Sequence, residues 1–256
     1  MNINELLKFV SYAGQLMLEN GGETYRTEDT MARMLENKVD EVETFVTPTG
    51  IFVSIEHDAK IYTKINRITK KGTDLNKIAL INDLSRRFSR EKWDTLDIEK
   101  YIGELRVIEE TKKFNWLFRI AAAGIAAAAS MMILGGSYRD FVPTLITAMI
   151  LQIFVMYLEK IEFPTFIINS LGGGLATLFS ILFSYYGMGS LDMIIVGSIM
   201  TLVPGVAITN SIRDIIGGDL VSGTSRGIDA LISATGIAAG VGAFLKIWDT
   251  IGGGMK

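Results

Sequence analysis

The uneven distribution of charge constrains the fold of this chain more than any other feature of its sequence. Residues 1–113 contain 38 charged side chains, whereas residues 114–256 contain only 15 in 143 positions. Charge at about a third of positions is typical of a soluble surface, and charge at about a tenth, between long apolar stretches, is typical of a bilayer-embedded segment. We therefore predict a soluble domain at 1–113 and a membrane domain at 114–256.

The second part contains five apolar stretches, each close to the roughly 20 residues that a spanning helix requires. Charged, glycine-rich or proline-containing segments separate them. The sequence therefore predicts a membrane α-helical fold with five transmembrane helices. The five stretches are Trp116–Gly135, Phe141–Leu158, Thr165–Tyr186, Asp192–Thr209 and Gly227–Lys246.

Small residues are frequent in these stretches, including Gly172–Gly174 and the pair Gly236 and Gly240. Small side chains let helix backbones approach closely inside a membrane, so we expect these positions to be sites of helix packing. For the three consecutive glycines the alternative is a helix break that exposes backbone groups to a solute.

Basic residues that flank the predicted spans favour a cytoplasmic N-terminus and an external C-terminus. Six lie on the N-terminal side of the membrane and three on the other, and the first residues lack the basic region of a secretory signal. We therefore expect a multi-pass protein of the cytoplasmic (inner) membrane whose N-terminal domain lies in the cytoplasm. The six are Lys112, Lys113, Arg119, Lys160, Arg213 and Arg226, and the three are Arg139, Lys246 and Lys256.

The soluble part has the pattern of a small α+β domain. Apolar residues recur with helical spacing in four segments, and three β-rich runs between them are joined by turn-like residues. We expect a three-stranded antiparallel meander accompanied by helices. The helical segments are Asn4–Asn20, Thr24–Glu36, Leu75–Ser89 and Thr95–Glu110, and the strands are Val42–Thr47, Ile51–Glu56 and Ile61–Ile65.

Composition excludes several classes of function. The chain has no cysteine and one histidine, His57, which leaves no usual ligand set for a metal and no usual catalytic triad. His57 falls in a turn between two strands, where we expect it to be solvated. No phosphate-binding loop is present, and a net charge of −3 gives no electrostatic reason to bind nucleic acid. We expect neither an enzyme nor a cofactor.

A polar segment interrupts the apolar sequence between the fourth and fifth stretches. Pro204 and Gly205 predict a break in the fourth stretch, and Gly217 with Gly218 can end a helix that resumes after it. Within such a helix, residues 210, 213 and 214 would share one face. We expect the next helix to begin near Gly227, after a hydroxyl-rich stretch.

The residues of this segment can bind a small polar solute. Arg213 and Arg226 would bind carboxylates, Asn210 and the hydroxyl groups would orient the solute, and Asp214 or Asp219 would take an ammonium group or a coupling proton. The alternative is an ordinary loop with helix caps and a solvated ion pair. The candidate binding residues are Asn210, Ser211, Arg213, Asp214, Asp219, Ser222 and Arg226.

A second motif lies near the N-terminus, in the segment Gly21-Gly-Glu-Thr-Tyr-Arg26. Glu23 and Arg26 are one helical turn apart and can form an ion pair, and Thr24 can cap the helix that follows. Either this is a surface pair at a capped helix start, or Glu23 and Arg26 contact the membrane part or a solute beneath it.

The two motifs together resemble the threonine/serine exporter family. They are Gly21–Arg26, and Pro204-Gly205 with Asn210-Ser-x-Arg-Asp214, Gly218-Asp219 and Ser222-Gly223. The chain resembles more closely the larger, separately encoded subunit of the split members.

This resemblance implies secondary export of small polar metabolites, either hydroxylated amino acids such as threonine and serine or dicarboxylates such as succinate. It also implies a smaller all-helical membrane subunit as partner, and leaves open assembly with further copies of the chain. The functional core it implies is Asn210, Arg213, Asp214 and Asp219.

Two alternatives stay open at this stage. A membrane-embedded aspartyl protease would use Asp219 in a dyad with Asp192 or Asp214. A membrane-anchored sensor would bind its ligand with the soluble part.

Overall fold

The computed structural model describes residues 3–70, 72–93, 96–111 and 114–251. It divides into two compact units, unit 1 with Met1–Lys112 and Gly205–Ile228, and unit 2 with Lys113–Pro204 and Asp229–Lys256. The predicted domain boundary at 113, and the basic residues Lys112, Lys113 and Lys256, lie outside the described residues.

Unit 1 contains the predicted meander and helices. The sheet has the order β1-β2-β3, with both pairs antiparallel. Its strands are β1 (Glu41–Thr47), β2 (Gly50–His57) and β3 (Lys60–Arg67). The helices are α1 (Ile3–Glu19), α2 (Thr24–Leu35), α3 (Leu75–Arg90), α4 (Ile98–Glu110), α9 (Gly205–Ile216) and the first residues of α10 (Leu220–Thr250). The predicted three-stranded meander is confirmed.

The core of unit 1 forms where the apolar faces of these elements meet. Alternation in β2 buries Ile51, Val53 and Ile55 on one face of the sheet, as the two-residue period of a strand requires. Phe9 of α1 stacks against Phe88 of α3, with ring centroids 4.7 Å apart. This packing fixes α1 against α3, and the Asp74 amide donates to the Asn20 carbonyl at 3.0 Å, which joins the end of α1 to the residue before α3.

We predicted that His57 would be solvated, but its side chain is largely covered. Its ring packs against Trp93, with centroids 5.5 Å apart, and its side chain is only 28% exposed. The Trp93 indole covers the His57 imidazole at the end of β2. Because the two residues are far apart in sequence, no local sequence pattern predicts their contact.

Unit 2 contains the apolar helices α5 (Trp116–Ile133), α6 (Tyr138–Lys160), α7 (Thr165–Tyr185) and α8 (Leu191–Ile199), together with the remainder of α10. Among the described residues, four helices are long and apolar enough to cross a membrane, namely α5, α6, α7 and α10. The predicted count of five is therefore not confirmed.

The predicted fourth span is broken. Helix α8 ends at Ile199, and α9 begins at Gly205. Proline has no amide hydrogen to donate and disfavours helical geometry in the residue before it, so Pro204 ends the helical pattern. The break predicted at Pro204 and Gly205 is thus confirmed, and it leaves two short helices of 9 and 12 residues in place of one span.

The glycines of α7 serve close helix packing, and the helix runs through Gly172–Gly174 without a break. A Cβ atom on Gly173 would lie 2.6 Å from the backbone oxygen of Ile237 in α10. On the facing side, a Cβ on Gly240 would lie 1.9 Å from the backbone oxygen of Ser170. The two backbones therefore touch where side chains are absent.

One predicted boundary is wrong. Helix α10 begins at Leu220, seven residues before the expected start near Gly227. The Asp219 carboxylate accepts a hydrogen bond from the Ser222 amide at 3.1 Å, which caps the first turn. The hydroxyl-rich stretch Ser222–Ser225 therefore lies inside the helix and not ahead of it.

Candidate functional site

The turn between α1 and α2 forms one wall of the candidate site. Gly21 has a φ of +89°, a left-handed conformation that favours glycine. A Cβ on Gly22 would lie 2.8 Å from the Met17 carbonyl oxygen. Two glycines in succession therefore let the chain reverse tightly at the end of α1, and this turn brings Glu23 to the start of α2.

The two sequence motifs meet at this turn. Asn210 Nδ2 donates a hydrogen bond to the Gly21 carbonyl at 3.0 Å, and Arg226 Nη2 donates to the Gly22 carbonyl at 2.7 Å. Arg213 Nη1 donates to Glu23 Oε1. Residues about 190 positions apart in sequence thus form one site within unit 1.

Glu23 lies at the centre of the charged groups. Its side chain is only 7% exposed, and its other oxygen, Oε2, lies 3.8 Å from Arg26 Nε. Glu23 occupies the N-cap position of α2, but its side chain makes no capping hydrogen bond. Thr24, which was predicted to cap, is instead the first helical residue. The carboxylate therefore lies between two guanidinium groups, and the three charged groups together carry a net positive charge.

Asp214 forms a second, deeper ion pair. It is fully buried, and its Oδ2 lies 3.0 Å from Arg226 Nε. Burial raises the pKa of the Asp214 carboxyl, against the lowering effects of the Thr24 hydroxyl and of the Arg226 charge. This carboxylate faces the start of α2 across the site.

Glu28 is a neighbour that the sequence did not indicate. Burial raises the pKa of its carboxyl, and the charges of Asp219 and Asp214 raise it further. Its Oε1 accepts a hydrogen bond from the Val46 amide at 2.7 Å. Only the fold brings α2, β1 and the end of α9 together, so no local pattern could have revealed this residue.

The remaining candidate residues fasten α9 to α10. Ser211 Oγ donates to the Gly223 carbonyl at 2.7 Å. A Cβ on Gly223 would lie 2.4 Å from Ile215 Cγ1, so the two helices touch here. Gly218 has a φ of +91° and ends α9, as predicted. Ser222 is fully buried in the first turn of α10.

A cleft of about 460 Å³ opens beside the Glu23–Arg213 pair. Its lining includes three charged residues, Glu23, Arg26 and Arg213, and two polar ones, Thr209 and Asn210. The lining residues are Met17, Gly21, Gly22, Glu23, Arg26, Leu75, Ile78, Gly205, Val206, Thr209, Asn210 and Arg213.

The structure divides the predicted site residues into two groups. Glu23, Arg26, Gly205, Asn210 and Arg213 line the cleft. The others form the contacts behind it, and they are Ser211, Asp214, Asp219, Ser222 and Arg226. Sequence reasoning missed Thr209 and the apolar floor of Met17, Leu75 and Ile78.

Comparison with known proteins gives one consistent result. The model of the threonine/serine exporter family (ThrE) matches residues 8–248. The "Threonine/serine exporter" of Corynebacterium glutamicum is 28% identical over 205 residues, which cover 77% of this chain and 41% of that protein. The "Probable threonine/serine exporter" of Mycobacterium tuberculosis is 25% identical over 199 residues, which cover 77% of this chain and 37% of that protein.

This chain thus spans about two fifths of the length of these curated relatives. No solved structure matches it. The family match and the apolar helices indicate a multi-pass membrane protein. Both relatives are named as exporters, and neither the aspartyl protease nor the sensor alternative is favoured.

Proposed function

Because the chain belongs to the threonine/serine exporter family, we propose that it is a component of a secondary exporter that moves small polar metabolites across the cytoplasmic membrane. The cleft beside Glu23 carries the proposal. Two arginines, a glutamate, an asparagine and a threonine line one space together with apolar residues. Such a mixed lining suits a small solute that bears charges of both signs, because each charge finds an opposite one.

The charges of the cleft favour a hydroxylated amino acid over a dicarboxylate. Arg26 is the guanidinium farther from Glu23, at 3.8 Å, and would bind the substrate carboxylate. Glu23 would take the ammonium group, while Asn210 and Thr209 would bind the hydroxyl. A dicarboxylate such as succinate has no positively charged group that could pair with Glu23, and the Glu23 carboxylate would repel it.

Helix α9 provides a movable wall. It is bounded by Pro204 and Gly205 at one end and by Gly217 and Gly218 at the other. Residues at such ends can absorb backbone rotation, so α9 can move as a rigid body and open or close the cleft. The functional core is thus Asn210, Arg213, Asp214 and Asp219. Asp214 pairs α9 with Arg226 of α10, Asp219 caps the first turn of α10, and the other two face the solute.

The basic residues that flank the apolar helices support an N-terminal domain in the cytoplasm, where it would meet the solute before export. The likeness to the split members supports a smaller all-helical membrane subunit as the partner that completes the pathway.

Efflux from cells tests the proposal. Cells that carry the chain with its small partner, and matched cells that lack the chain, are loaded with labelled threonine, serine or succinate. Arg213→Ala should reduce amino-acid efflux about tenfold or more, because the charge-assisted hydrogen bond between Arg213 and Glu23 is lost. Thr209→Val, which preserves side-chain shape, should reduce it less.

Glu23→Gln separates the two substrate classes. It should lower amino-acid efflux and leave succinate efflux equal or higher, because the repelling charge is gone. Arg86→Ala, an exposed arginine of α3, is the matched control and should leave both rates unchanged. Equal efflux with and without the chain would overturn the proposed function, and normal efflux in Arg213→Ala would remove that residue from the site.

A further inference from the structure

Helix α9 has the opposite amphipathicity to a helix on a water-soluble surface. Its polar residues Asn210, Ser211 and Asp214 are buried, at 6%, 6% and 0% exposure. Its large apolar residues point away from that face and are exposed. They are Ile208, Ile212, Ile215 and Ile216, at 41%, 53%, 43% and 81%.

Helical geometry accounts for the two faces. At about 100° per residue, the four isoleucines fall within one arc of roughly 100°, Asn210 and Asp214 fall on the opposite side, and Ser211 lies at the border between the two faces. The first turn of α10 also exposes two large apolar residues, Leu220 and Val221, at 62% and 68%. The four isoleucines form one apolar surface of α9, which we call the isoleucine face.

Exposure of this apolar surface to water is energetically unfavourable. A contiguous apolar patch of this kind marks contact with a membrane or with another protein. The described residues of unit 1 leave it uncovered, since each of the four isoleucine side chains is at least 41% exposed.

The position of α9 along the chain favours the edge of the bilayer. The uncharged stretch of α10 runs from residue 230 to residue 245, which is about 24 Å of helix at roughly 1.5 Å per residue. Asp219, Arg226 and Asp229 all lie before it, so the first turns of α10 belong at the membrane boundary. Only Gly217, Gly218 and Asp219 separate α9 from those turns, and Ser211 of α9 donates a hydrogen bond to the Gly223 carbonyl of α10, so the second half of α9 lies at the same level.

We propose that α9 is an interfacial helix that lies along the membrane surface, with the isoleucine face inserted among the lipid acyl chains at the headgroup boundary. An interfacial helix of this type inserts its apolar side by about 5–10 Å. The lipid then forms the outer side of α9 while the solute cleft forms its inner side. The inference concerns the environment of α9 and does not depend on which solute is exported.

The absence of cysteine makes a direct test straightforward, because each introduced cysteine is unique. Ile212→Cys and Ile216→Cys are spin-labelled, and the protein is reconstituted in phosphatidylcholine–phosphatidylglycerol vesicles. Collision with oxygen, which concentrates in lipid, is compared with collision with a water-soluble nickel chelate. Arg86→Cys on α3 is the aqueous control, and Ile153→Cys on α6 is the control within a span.

Both isoleucine-face labels should collide more with oxygen than with the chelate, at a depth shallower than that of the Ile153 label. Greater collision with the chelate at both sites would overturn the proposal in favour of water. Immobile labels that neither reagent reaches would overturn it in favour of a protein partner. Circular dichroism and gel filtration of each labelled protein verify the fold, and loss of efflux in these variants would leave the assignment of the lipid contact unaffected.

Discussion

Helix α7 in unit 2 and helix α9 in unit 1 differ in the kind of contact that their buried faces make. In α7, side chains are absent where it meets α10, and backbone touches backbone at Gly173. In α9, the inner face is polar and is held by ion pairs and hydrogen bonds to the turn after α1. Packing of the first kind is rigid, because backbones cannot yield, whereas contacts of the second kind can be exchanged for a solute or for water. Helix α7 therefore makes rigid packing contacts, whereas the contacts of α9 are compatible with the movement proposed for it.

The largest effect should follow from adding a side chain to the α7–α10 contact. Gly240→Leu places atoms where the Ser170 backbone oxygen lies 1.9 Å from the first added carbon. Overpacking of this severity should destabilise the protein by about 3 kcal/mol or more. The yield of monodisperse protein in detergent should collapse.

Gly242→Leu is the matched control for this change, since nothing lies within 4 Å of a Cβ at that position of the same helix. Yield and melting temperature should stay close to those of the unsubstituted chain. Equal loss in the two variants would contradict the assignment of α7 and α10 to a packed scaffold.

The next largest effect should come from the buried ion pair. Arg226→Met leaves the fully buried Asp214 carboxylate without its cation and should lower the free energy of unfolding by about 3 kcal/mol at pH 7.5. Burial already raises the pKa of Asp214 above its ordinary value of 3.8, so the folded state binds this proton more tightly than the unfolded chain does. Stability from this group is therefore present at low pH and is lost as pH rises through the folded-state pKa.

The variant should consequently lose less stability, relative to the unsubstituted chain, at pH 5 than at pH 7.5. Removal of Arg226 raises the pKa of Asp214 further, so that more of the carboxyl is neutral in acid. The double variant Arg226→Met with Asp214→Asn should recover most of the loss. Urea titration followed by circular dichroism measures each value, and the same deficit at both pH values would show that Asp214 does not carry the effect.

In both regions, the sequence predicted features that depend on neighbouring residues better than contacts between residues far apart in the chain. The strands and helices of unit 1 followed from local periodicity, and the break at Pro204 followed from the chemistry of proline. Contact of Glu23 with a residue after position 113 was one of two alternatives, but its partner Arg213 is 190 positions away, and no local period identifies a partner at such a distance. The start of α10 was misplaced because serine and threonine are typical of loops, whereas here Asp219 caps a helix that contains them.

A smaller effect should follow from the loss of one neutral hydrogen bond between α9 and α10. Ser211→Ala removes the donor to the Gly223 carbonyl and should lower the free energy of unfolding by about 1 kcal/mol. Thr111→Ala removes an exposed hydroxyl that donates to the carbonyl of Val107, and it should have little effect. If the two variants behave alike in urea titration, the hydrogen bond does not hold α9.

The smallest effect should come from an exposed ion pair of the same chemistry as the buried one. Arg33 Nε lies 2.9 Å from Asp29 Oδ1, close to the 3.0 Å between Arg226 and Asp214, but the two side chains are 69% and 52% exposed. Water already solvates both charges, so Arg33→Ala should lower the free energy of unfolding by only about 0.3 kcal/mol. Even this difference should disappear in 1 M salt, where the Debye length is about 3 Å. The Arg226→Met deficit should persist there, because ions do not reach a buried pair, and a deficit that salt abolishes equally in both variants would mean that the Asp214 pair is solvated and that α9 is not held by buried charge.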